Sequence, residues 1–312
     1  MLRGQSTPLW WRILAIFPLF DRSLIGSAIQ LTQFIGHRMS SVGGMLSIDP
    51  TNHELTALVV AALFKDLNSR TIMHLSHMNG QASLTRHLIG GGLAKRQCPH
   101  VWLEADDQRL DPALRLGSKM RKNLRSIRNR MRREFKTEFK VVSGQDFPAA
   151  FDEFADLHRR RFAFKGKASS LVGPELAFFK AATSELSNSG HCEILQLRAD
   201  GETIAAQLMI SDRQRYYAIQ AGFAPEFSRF SPAFLLDLEA IRRGFNELGC
   251  RVYDFGAGYE AYKYHWNPII GSSYFCCAGA LNLYARSMAS VYRLAFRQAL
   301  PRIPSELARE RG

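Results

Sequence analysis

The chain of 312 residues is 46% hydrophobic, which suffices for one large domain or two small ones and argues against a disordered protein. Its 41 Lys and Arg residues outnumber its 28 Asp and Glu residues, which gives a net charge of +13. That excess predicts attraction to polyanions, namely nucleic acid, an anionic membrane surface or a phosphate-rich ligand. Charge alone does not choose among the three.

The five cysteines show no CxxC or Cys/His spacing, so the sequence predicts no metal site and a reduced, cytoplasmic chain. The apolar stretch "PLWWRILAIFPLFDRSLIGSAIQLTQFIG" is interrupted by Arg12, Asp21 and Arg22. Its uninterrupted pieces are shorter than the roughly 20 residues that a membrane-spanning helix needs. We therefore predict buried strand and helix here, not an anchor.

The first third of the chain predicts a small α/β unit. Apolar residues between Leu55 and Ala62 recur at helical spacing, and Gly43-Gly44 predicts a turn. The predicted elements are strands near 13–19, 28–34 and 71–76 and helices near 52–67 and 83–93.

A basic amphipathic helix is predicted over residues 118–136. The stretch "GSKMRKNLRSIRNRMRREFK" carries nine Lys or Arg residues against one Glu. Apolar residues recur three or four positions apart, at Met120, Leu124, Ile127, Met131 and Phe135. One apolar stripe therefore underlies a basic face, which is either simply solvated or a docking surface for anions.

In the next elements the spacing of apolar residues changes from helical to strand-like. Two predicted helices come before the stretch "CEILQLRADGETIAAQLMISDRQRYYAIQAGF". Apolar and polar residues alternate along this stretch, which predicts three strands, and Asp200-Gly201 predicts a hairpin turn between the first two. A helix then begins with Ser231 as N-cap and Pro232 at its first position and ends at Gly249. A strand that ends at Asp254, a short helix and a strand near 273–281 follow.

This order resembles the GNAT acyltransferase superfamily. The motifs "SKMRKNLRSIRNRMRREF", "FADLHRRRF", "AIQAGFAPEFSRFSPAFLLDLEAIRRGFNELG" and "YDFGAGYEAYKYHW" resemble the CelD-like (BcsL-type) acetyltransferases of bacterial polysaccharide and cellulose biosynthesis. The resemblance covers about Gly117 to Pro268. It implies an α/β GNAT fold, with a mixed, mostly antiparallel sheet flanked by helices.

CelD-like proteins and the related FemAB aminoacyltransferases contain two GNAT-like repeats. Here "LAIFPLFDR", "MSSVGGMLSIDPTNHE" and "TIMHLSHM" resemble the later part of the first repeat. The opening elements of that repeat have no counterpart, so it is either short or begins upstream. We expect an incomplete repeat at 1–116, a GNAT acyltransferase domain at 117–285 and a C-terminal helix and tail at 286–312.

The resemblance implies transfer of an acyl group from acetyl-CoA or another acyl-CoA to an amine, such as an amino sugar or a lipid-linked saccharide. The acyl carrier would lie beside the third strand of the meander and the N-terminus of the following helix. Arg229 is the only cation of the connecting loop, which is poorer in glycine than the usual GNAT phosphate loop. The expected carrier-binding residues are Gln220, Ala221, Gly222, Phe223, Arg229, Ser231 and Ala233.

The catalytic residues are expected on two segments. His158 and Arg161 lie one helical turn apart, as a base and an anion-binding group. The stretch "YDFGAGYEAYKYHW" supplies the rest: Tyr259, Tyr262, Lys263 and Trp266 share a face if its helix is regular. The expected catalytic residues are His158, Asp254, Glu260 and Tyr262, and the expected substrate-binding residues are Arg161, Lys263, Tyr259 and Trp266. Because no serine or cysteine elbow is present, we expect direct attack without a covalent intermediate.

Three other interpretations have partial support in the sequence. Asp254-Phe255-Gly256 matches a kinase metal-binding triplet, but no HRD-like loop, glycine-rich turn or VAIK-like lysine accompanies it. A FemAB-like aminoacyl transfer from tRNA would use the basic helix as an RNA surface. A nonspecific polyanion-binding protein would use the same helix without catalysis. The basic 118–136 helix also predicts peripheral contact with the inner, anionic face of a membrane. A nucleic-acid partner is less expected.

Overall fold

The computed structural model describes residues 15–24, 29–35, 43–47, 49–106, 111–279, 287 and 289–290. The chain divides into two compact units, Met1–Cys98 with Ser272–Gly312 and Pro99–Gly271. These units differ from the domains expected at 1–116 and 117–285, whose boundaries stay predictions. The expected C-terminal helix and tail lie almost entirely outside the described residues.

Twelve strands and six α-helices have the following bounds in the described part of the chain. The strands are β1 (Ala15–Ile16), β2 (Leu19–Leu24), β3 (Ile29–Phe34), β4 (Leu46–Ser47), β5 (Thr71–Asn79), β6 (Ala94–Glu104), β7 (Thr137–Val142), β8 (Cys192–Ala199), β9 (Glu202–Ser211), β10 (Arg215–Phe223), β11 (Val252–Ala257) and β12 (Ile269–Gly279). The helices are α1 (His53–Asp66), α2 (Ser83–Gly90), α3 (Ser118–Glu134), α4 (Phe147–Phe164), α5 (Gly173–Asn188) and α6 (Pro232–Arg242).

The first unit pairs β2 with β3 and β5 with β12 in antiparallel fashion, and β3 with β5 in parallel. Its core lies where Met73, Leu75 and Met78 of β5 meet Leu84 and Leu88 of α2. The predicted helices and the strand at 71–76 are confirmed. The strand predicted near 28–34 is confirmed as β3, and the described part of the run near 13–19 forms β1 and the start of β2. The helix expected in the N-terminal apolar stretch does not occur in its described residues, 15–24 and 29–35.

The second unit has strand order β6-β11-β10-β9-β8-β7. All neighbours are antiparallel except β10 and β11, which run parallel. The sheet and its helices confirm the predicted mixed, mostly antiparallel α/β fold. The Asp200-Gly201 turn is also confirmed, because both residues have positive φ, at 49° and 89°, as a two-residue hairpin of this kind requires. Strand β6 was not predicted.

Helix α3 buries the apolar stripe that its sequence predicted. Leu124, Ile127 and Met131 are buried in one core cluster with residues of α6 and the sheet. Most of its Lys and Arg side chains are exposed. Hydrophobic burial of one face therefore holds the helix in place, and the basic face remains accessible to solvent.

Strands β10 and β11 separate after a short parallel contact. They pair only from Arg215↔Val252 to Tyr217↔Asp254, whereas β10 stays paired with β9 as far as Phe223. In the described part of the chain, the β11-facing edge of β10 is therefore open beyond Tyr217. A strand edge of this kind leaves backbone N–H and C=O groups for other partners.

Helix α4 packs closely on β10 beside this open edge. A Cβ atom at Gly222 would lie 2.3 Å from the backbone nitrogen of His158, far inside van der Waals contact. Gly222 therefore allows the helix to approach the strand. This contact fixes the position of every side chain that α4 directs toward the gap.

Helix α6 begins at the predicted residues, with Ser231 before Pro232, but without a side-chain cap. Ser231 occupies the N-cap position, but its backbone is left-handed (φ 47°, ψ 53°) and its side chain makes no capping hydrogen bond. Its carbonyl instead accepts hydrogen bonds from the N–H groups of Phe234 and Leu235. The helix passes into a π-helical turn at Arg243–Glu247 before Gly249. Among the helices of the described residues, none is both long and apolar enough to span a membrane.

Candidate active site

A cavity of about 350 Å³ lies in the second unit at the N-terminal end of α6. This volume is within the range of small-molecule sites. Its walls come from α3, from the end of β10, from the first turns of α6 and from the 3-10 helix Ala261–Trp266. The polar side chains that line it are Asn123, Arg161, Ser228, Ser231, Asp237, Tyr262 and His265.

Asp237 places a buried carboxyl group in this cavity. It lies on the same side of α6 as Ala233 and Phe234, four and three residues earlier, and all three line the cavity. Its Oδ1 accepts a hydrogen bond from Gln207 Nε2 at 3.0 Å. Burial raises the pKa of Asp237 to about 7, although the Gln207 hydrogen bond and the positive charge of Arg161 oppose the rise. The group therefore exchanges a proton near neutral pH.

The sequence did not single out Asp237. It lies between Leu236 and Leu238 on a helix that was recognised by its end residues and not by its charged side chains. The available signal was its charge, because Asp is otherwise rare among buried residues of a packed helix. Helical periodicity alone could not show that a cavity adjoins this position.

Arg161 brings a positive charge into the cavity from α4. Its Nη1 donates to the carbonyl of Ala221 on β10 at 2.7 Å, and its guanidinium lies over the ring of Phe223, 5.6 Å from the centroid. Both contacts fix the side chain at the open edge of β10. A guanidinium held in this way can bind a carboxylate, a phosphate or a developing oxyanion.

Tyr262 directs a phenol into the same cavity. Burial raises the pKa of Tyr262 well above its ordinary value, and the negative charges of Asp237 and Glu260 add to the effect. The ring packs edge-on against Phe255, with the centroids 6.2 Å apart. The hydroxyl group therefore stays protonated at neutral pH and can donate a hydrogen bond or a proton.

His158 lies outside the cavity lining and is fully buried. Burial lowers the pKa of His158 to about 4, so the ring is neutral. Its Nε2 donates to Gln220 Oε1 at 3.2 Å, its Nδ1 accepts from Ser169 Oγ at 2.9 Å, and Phe162 stacks on the ring. With both nitrogens engaged, the geometry favours a structural role over the expected role as base.

Asp254 also lies apart from the cavity. It sits within β11, not at the end of a strand, and accepts hydrogen bonds from His100 Nε2 at 2.8 and 3.0 Å and from Gly256 N at 2.7 Å. Arg215 Nη1 is 3.4 Å away. His100 comes from β6, the strand that was not predicted, so this pair could not be expected from the sequence. The arrangement links neighbouring strands instead of facing a substrate.

The segment after β11 does not present the expected common face. A regular α-helix would align Tyr259, Tyr262, Lys263 and Trp266, but residues 261–266 form a 3-10 helix, in which side chains three apart align. Accordingly Tyr262 and His265 line the cavity, whereas Lys263 and Trp266 are buried.

The buried side chains of this segment serve its packing. Lys263 Nζ donates to the carbonyl of Ala257 at 3.0 Å and to Glu260 Oε2 at 2.9 Å. Trp266 packs on Phe234, with ring centroids 4.9 Å apart. Tyr259 and Glu260 do not line the cavity, so within this segment Tyr262 alone of the expected site residues reaches it.

The expected carrier-binding residues divide into two groups. Ala221, Phe223, Ser231 and Ala233 line the cavity, whereas Gln220 contacts His158 and Gly222 packs on α4.

Arg229, the expected phosphate clamp, is exposed, and its Nη2 binds Glu134 Oε2 at 2.6 Å. Arg130 of the basic helix donates to the carbonyl of Arg229 at 2.7 Å, so α3 brings its own cations to this loop. No group of three or more His, Cys, Asp or Glu residues in the described ranges is arranged to hold a metal ion.

Residues 118–264 match the family model described as "Acetyltransferase (GNAT) domain". This segment is therefore similar to a GNAT acetyltransferase domain, and the fold is the α/β GNAT fold. The match supports an acyltransferase and leaves the acyl group open. No curated protein matches the sequence at a significant level.

Three solved structures share the fold at low sequence identity. FemX superposes with a TM-score of 0.61 at 12% identity, over 91% of this chain and 87% of its own. A domain assigned as the C-terminal part of a lysylphosphatidylglycerol synthetase from Agrobacterium fabrum has a TM-score of 0.58 at 16% identity, over 91% and 87%. L-PGS from Bacillus licheniformis has a TM-score of 0.56 at 14% identity, over 93% and 87%. At these identities the similarity concerns the fold alone.

Proposed function

We propose that the protein is an N-acyltransferase that moves an acyl group from acyl-CoA to an amine acceptor. The observation that carries the proposal is the 350 Å³ cavity at the open edge of β10. An extended pantetheine arm can pair with backbone groups of such an edge, as an added strand would. The cavity then holds the thioester beside Arg161 and Tyr262.

These two side chains match the charge changes of acyl transfer. The guanidinium of Arg161 stabilises negative charge on the thioester oxygen during attack, and such preorganised donors are worth about 3 kcal/mol. Tyr262 supplies a proton to the departing thiolate. The first turn of α6 offers its dipole to the diphosphate, and Arg130 of α3 lies next to the connecting loop.

The acceptor in this proposal is an amino sugar or a lipid-linked saccharide of cell-surface polysaccharide or cellulose biosynthesis. The CelD-like motifs support that class. The exposed cations of α3 support a position at the inner, anionic face of the membrane, since each basic residue near such a surface contributes roughly 1 kcal/mol.

The donor is tested first, by native mass spectrometry of the full chain with acyl-CoAs of increasing chain length. We expect one acyl-CoA bound per chain and a raised Tm. Absence of binding and of any Tm change at about 1 mM acyl-CoA, roughly the upper end of usual KM values, would remove the proposal.

Membrane contact is tested with vesicles. Arg125→Glu combined with Arg132→Glu should abolish sedimentation with anionic vesicles, and the vesicle-bound fraction of the wild type should fall with added salt. Lys95→Glu with Arg96→Glu makes the same change in charge on exposed residues of β6 and should bind like the wild type. Equal vesicle binding by both double variants would show that α3 does not carry the membrane contact.

A second candidate is aminoacyl transfer from tRNA. It is favoured by the shared fold with FemX and with a domain assigned to a lysylphosphatidylglycerol synthetase, together with the basic face of α3. This candidate predicts tight tRNA binding that weakens steeply between about 50 and 200 mM salt. Tight tRNA binding without acyl-CoA binding would favour it, and polyanion binding without either transfer would favour a non-catalytic protein.

A further inference from the structure

We infer that Asp237 is the general base of the transfer and takes the proton from the acceptor nitrogen as it attacks the thioester. This inference rests on the proposed function. It assigns to one carboxyl group of α6 the role for which the sequence favoured His158.

Asp237 is accessible from the cavity, whereas the expected ionisable groups His158 and Asp254 are not. A base must reach the proton that it removes, either directly or through one water. Asp237 lines the cavity, whereas His158 is fully buried outside its lining. Asp254 is enclosed by His100 and the backbone of Gly256. Among the residues that the structure describes, Asp237 is thus the carboxyl group that opens into this cavity.

The carboxyl group of Asp237 is held in one orientation. Gln207 of β9 holds Oδ1 of Asp237 at 3.0 Å. No hydrogen bond to Oδ2 exists within the described part of the chain, so this oxygen remains available for a proton from the acceptor. A fixed carboxylate with one unoccupied oxygen satisfies the geometric requirement for a base.

Charged groups around Asp237 oppose the effect of burial on its carboxyl group. Arg161 on α4 and Lys263 on the 3-10 helix favour the ionised carboxylate, and burial disfavours it more strongly. The phenols of Tyr262 and of Tyr253 on β11 face the same region. With a pKa near 7, Asp237 is basic enough to accept an amine proton and is substantially ionised at neutral pH.

The step balances without another reactant. The neutral amine attacks the thioester carbon, the C–N bond forms and the C–S bond breaks. The nitrogen proton passes to Asp237, and the thiolate takes a proton from Tyr262. The proton on Asp237 then returns to the phenolate of Tyr262, so that an amide and free CoA leave and both side chains regain their starting states.

The first test needs no knowledge of the acceptor. A carbodiimide modifies protonated carboxyl groups, so at about pH 6 it should label Asp237 in the full-length wild type. Peptide mapping should find that label suppressed by acetyl-CoA. Failure to label Asp237, or labelling that acetyl-CoA leaves unchanged, would contradict its place in the donor site.

The second test follows thiol release from acetyl-CoA with a panel of primary amines between about pH 5 and 9. Asp237→Asn keeps the shape and the Gln207 contact and should lower kcat by about 10²- to 10⁴-fold, with loss of the acidic limb near pH 7. Asp237→Glu, which restores a carboxylate, should recover part of the rate. Glu239→Gln removes a carboxylate that pairs with Arg242 on the same helix and should behave like the wild type.

The outcomes separate this inference from the proposed function. If the wild type binds and consumes acetyl-CoA while Asp237→Asn keeps the rate and the acidic limb, Asp237 is not the base, although the function stands. If the wild type neither binds nor consumes any acyl-CoA, the proposed function fails and the inference fails with it. Unchanged acetyl-CoA binding by Asp237→Asn in native mass spectrometry shows that the variant is folded.

Discussion

Replacing Asp237 by Asn should change how the free energy of unfolding depends on pH. The folded-state pKa of Asp237 is about 7, against an ordinary value of 3.8. Each tenfold change in proton affinity corresponds to about 1.4 kcal/mol, so burial of the ionised carboxylate costs up to about 4 kcal/mol.

The sign follows from which state binds the proton. Below about pH 4 the carboxyl group is protonated in both the folded and the unfolded chain, and no penalty exists. As the pH rises toward 7, the unfolded chain ionises while the folded chain keeps the proton, so this group's contribution to stability falls and is lost above pH 7. Asn does not titrate, so the variant should gain up to about 4 kcal/mol over the wild type across this range.

Urea unfolding of the wild type and Asp237→Asn at several pH values between about 4 and 8 measures this difference. Groups common to both proteins cancel in the comparison. Glu239→Gln should show no comparable change, because Glu239 is paired with Arg242 near the helix surface. A difference between wild type and Asp237→Asn that stays constant with pH would refute the raised pKa and the burial argument behind it.

Three further outcomes follow from the packing around the cavity. Gly222→Ala should lower the free energy of unfolding by more than about 2 kcal/mol, because its Cβ would lie 2.3 Å from a backbone atom of α4. The control Gly90→Ala, which has open space around the new methyl group, should leave urea unfolding nearly unchanged. His158 has a pKa lowered to about 4 by burial, so its contribution of about 3 kcal/mol is present above pH 6.5 and lost as the pH falls toward 4. In thermal melts, His158→Gln should therefore show a weaker acid-induced drop in Tm, and an equal drop would count against the neutral, buried ring. Tyr262→Phe should reduce kcat for thiol release by about 100-fold without a change in Tm, whereas full activity would exclude the phenol as the acid.

The sequence was informative wherever a single element carries its own pattern. The apolar stripe of α3 and the alternation of β8, β9 and β10 predicted the elements. Asp200-Gly201 predicted a turn, because positive φ at both positions is a local preference. Arg161 and Tyr262, which were both expected in the site, line the cavity, and their roles stay predictions.

Predictions that depended on neighbours from distant parts of the chain were less successful. The sequence favoured His158 because a histidine ordinarily titrates near neutral pH. Burial lowers the pKa of His158, and the charge of Arg161 adds to the effect, although the hydrogen bond to Gln220 opposes it. Arg229 was expected to bind the acyl carrier, but its guanidinium pairs with Glu134 of α3. The face expected around Lys263 assumed α-helical spacing, and the 3-10 helix changed which residues align.

The sequence by itself determined most of the helices and strands, because hydrophobic period, turn residues and helix ends are local properties of the chain. The resemblance of its motifs to GNAT acyltransferases implied the fold that these elements form. Only the tertiary structure decided which ionisable groups face the cavity and which are enclosed. A pKa and the access of a side chain depend on the burial and charges that other elements impose. For that reason Asp237, unremarkable between two leucines, became the leading candidate for the base.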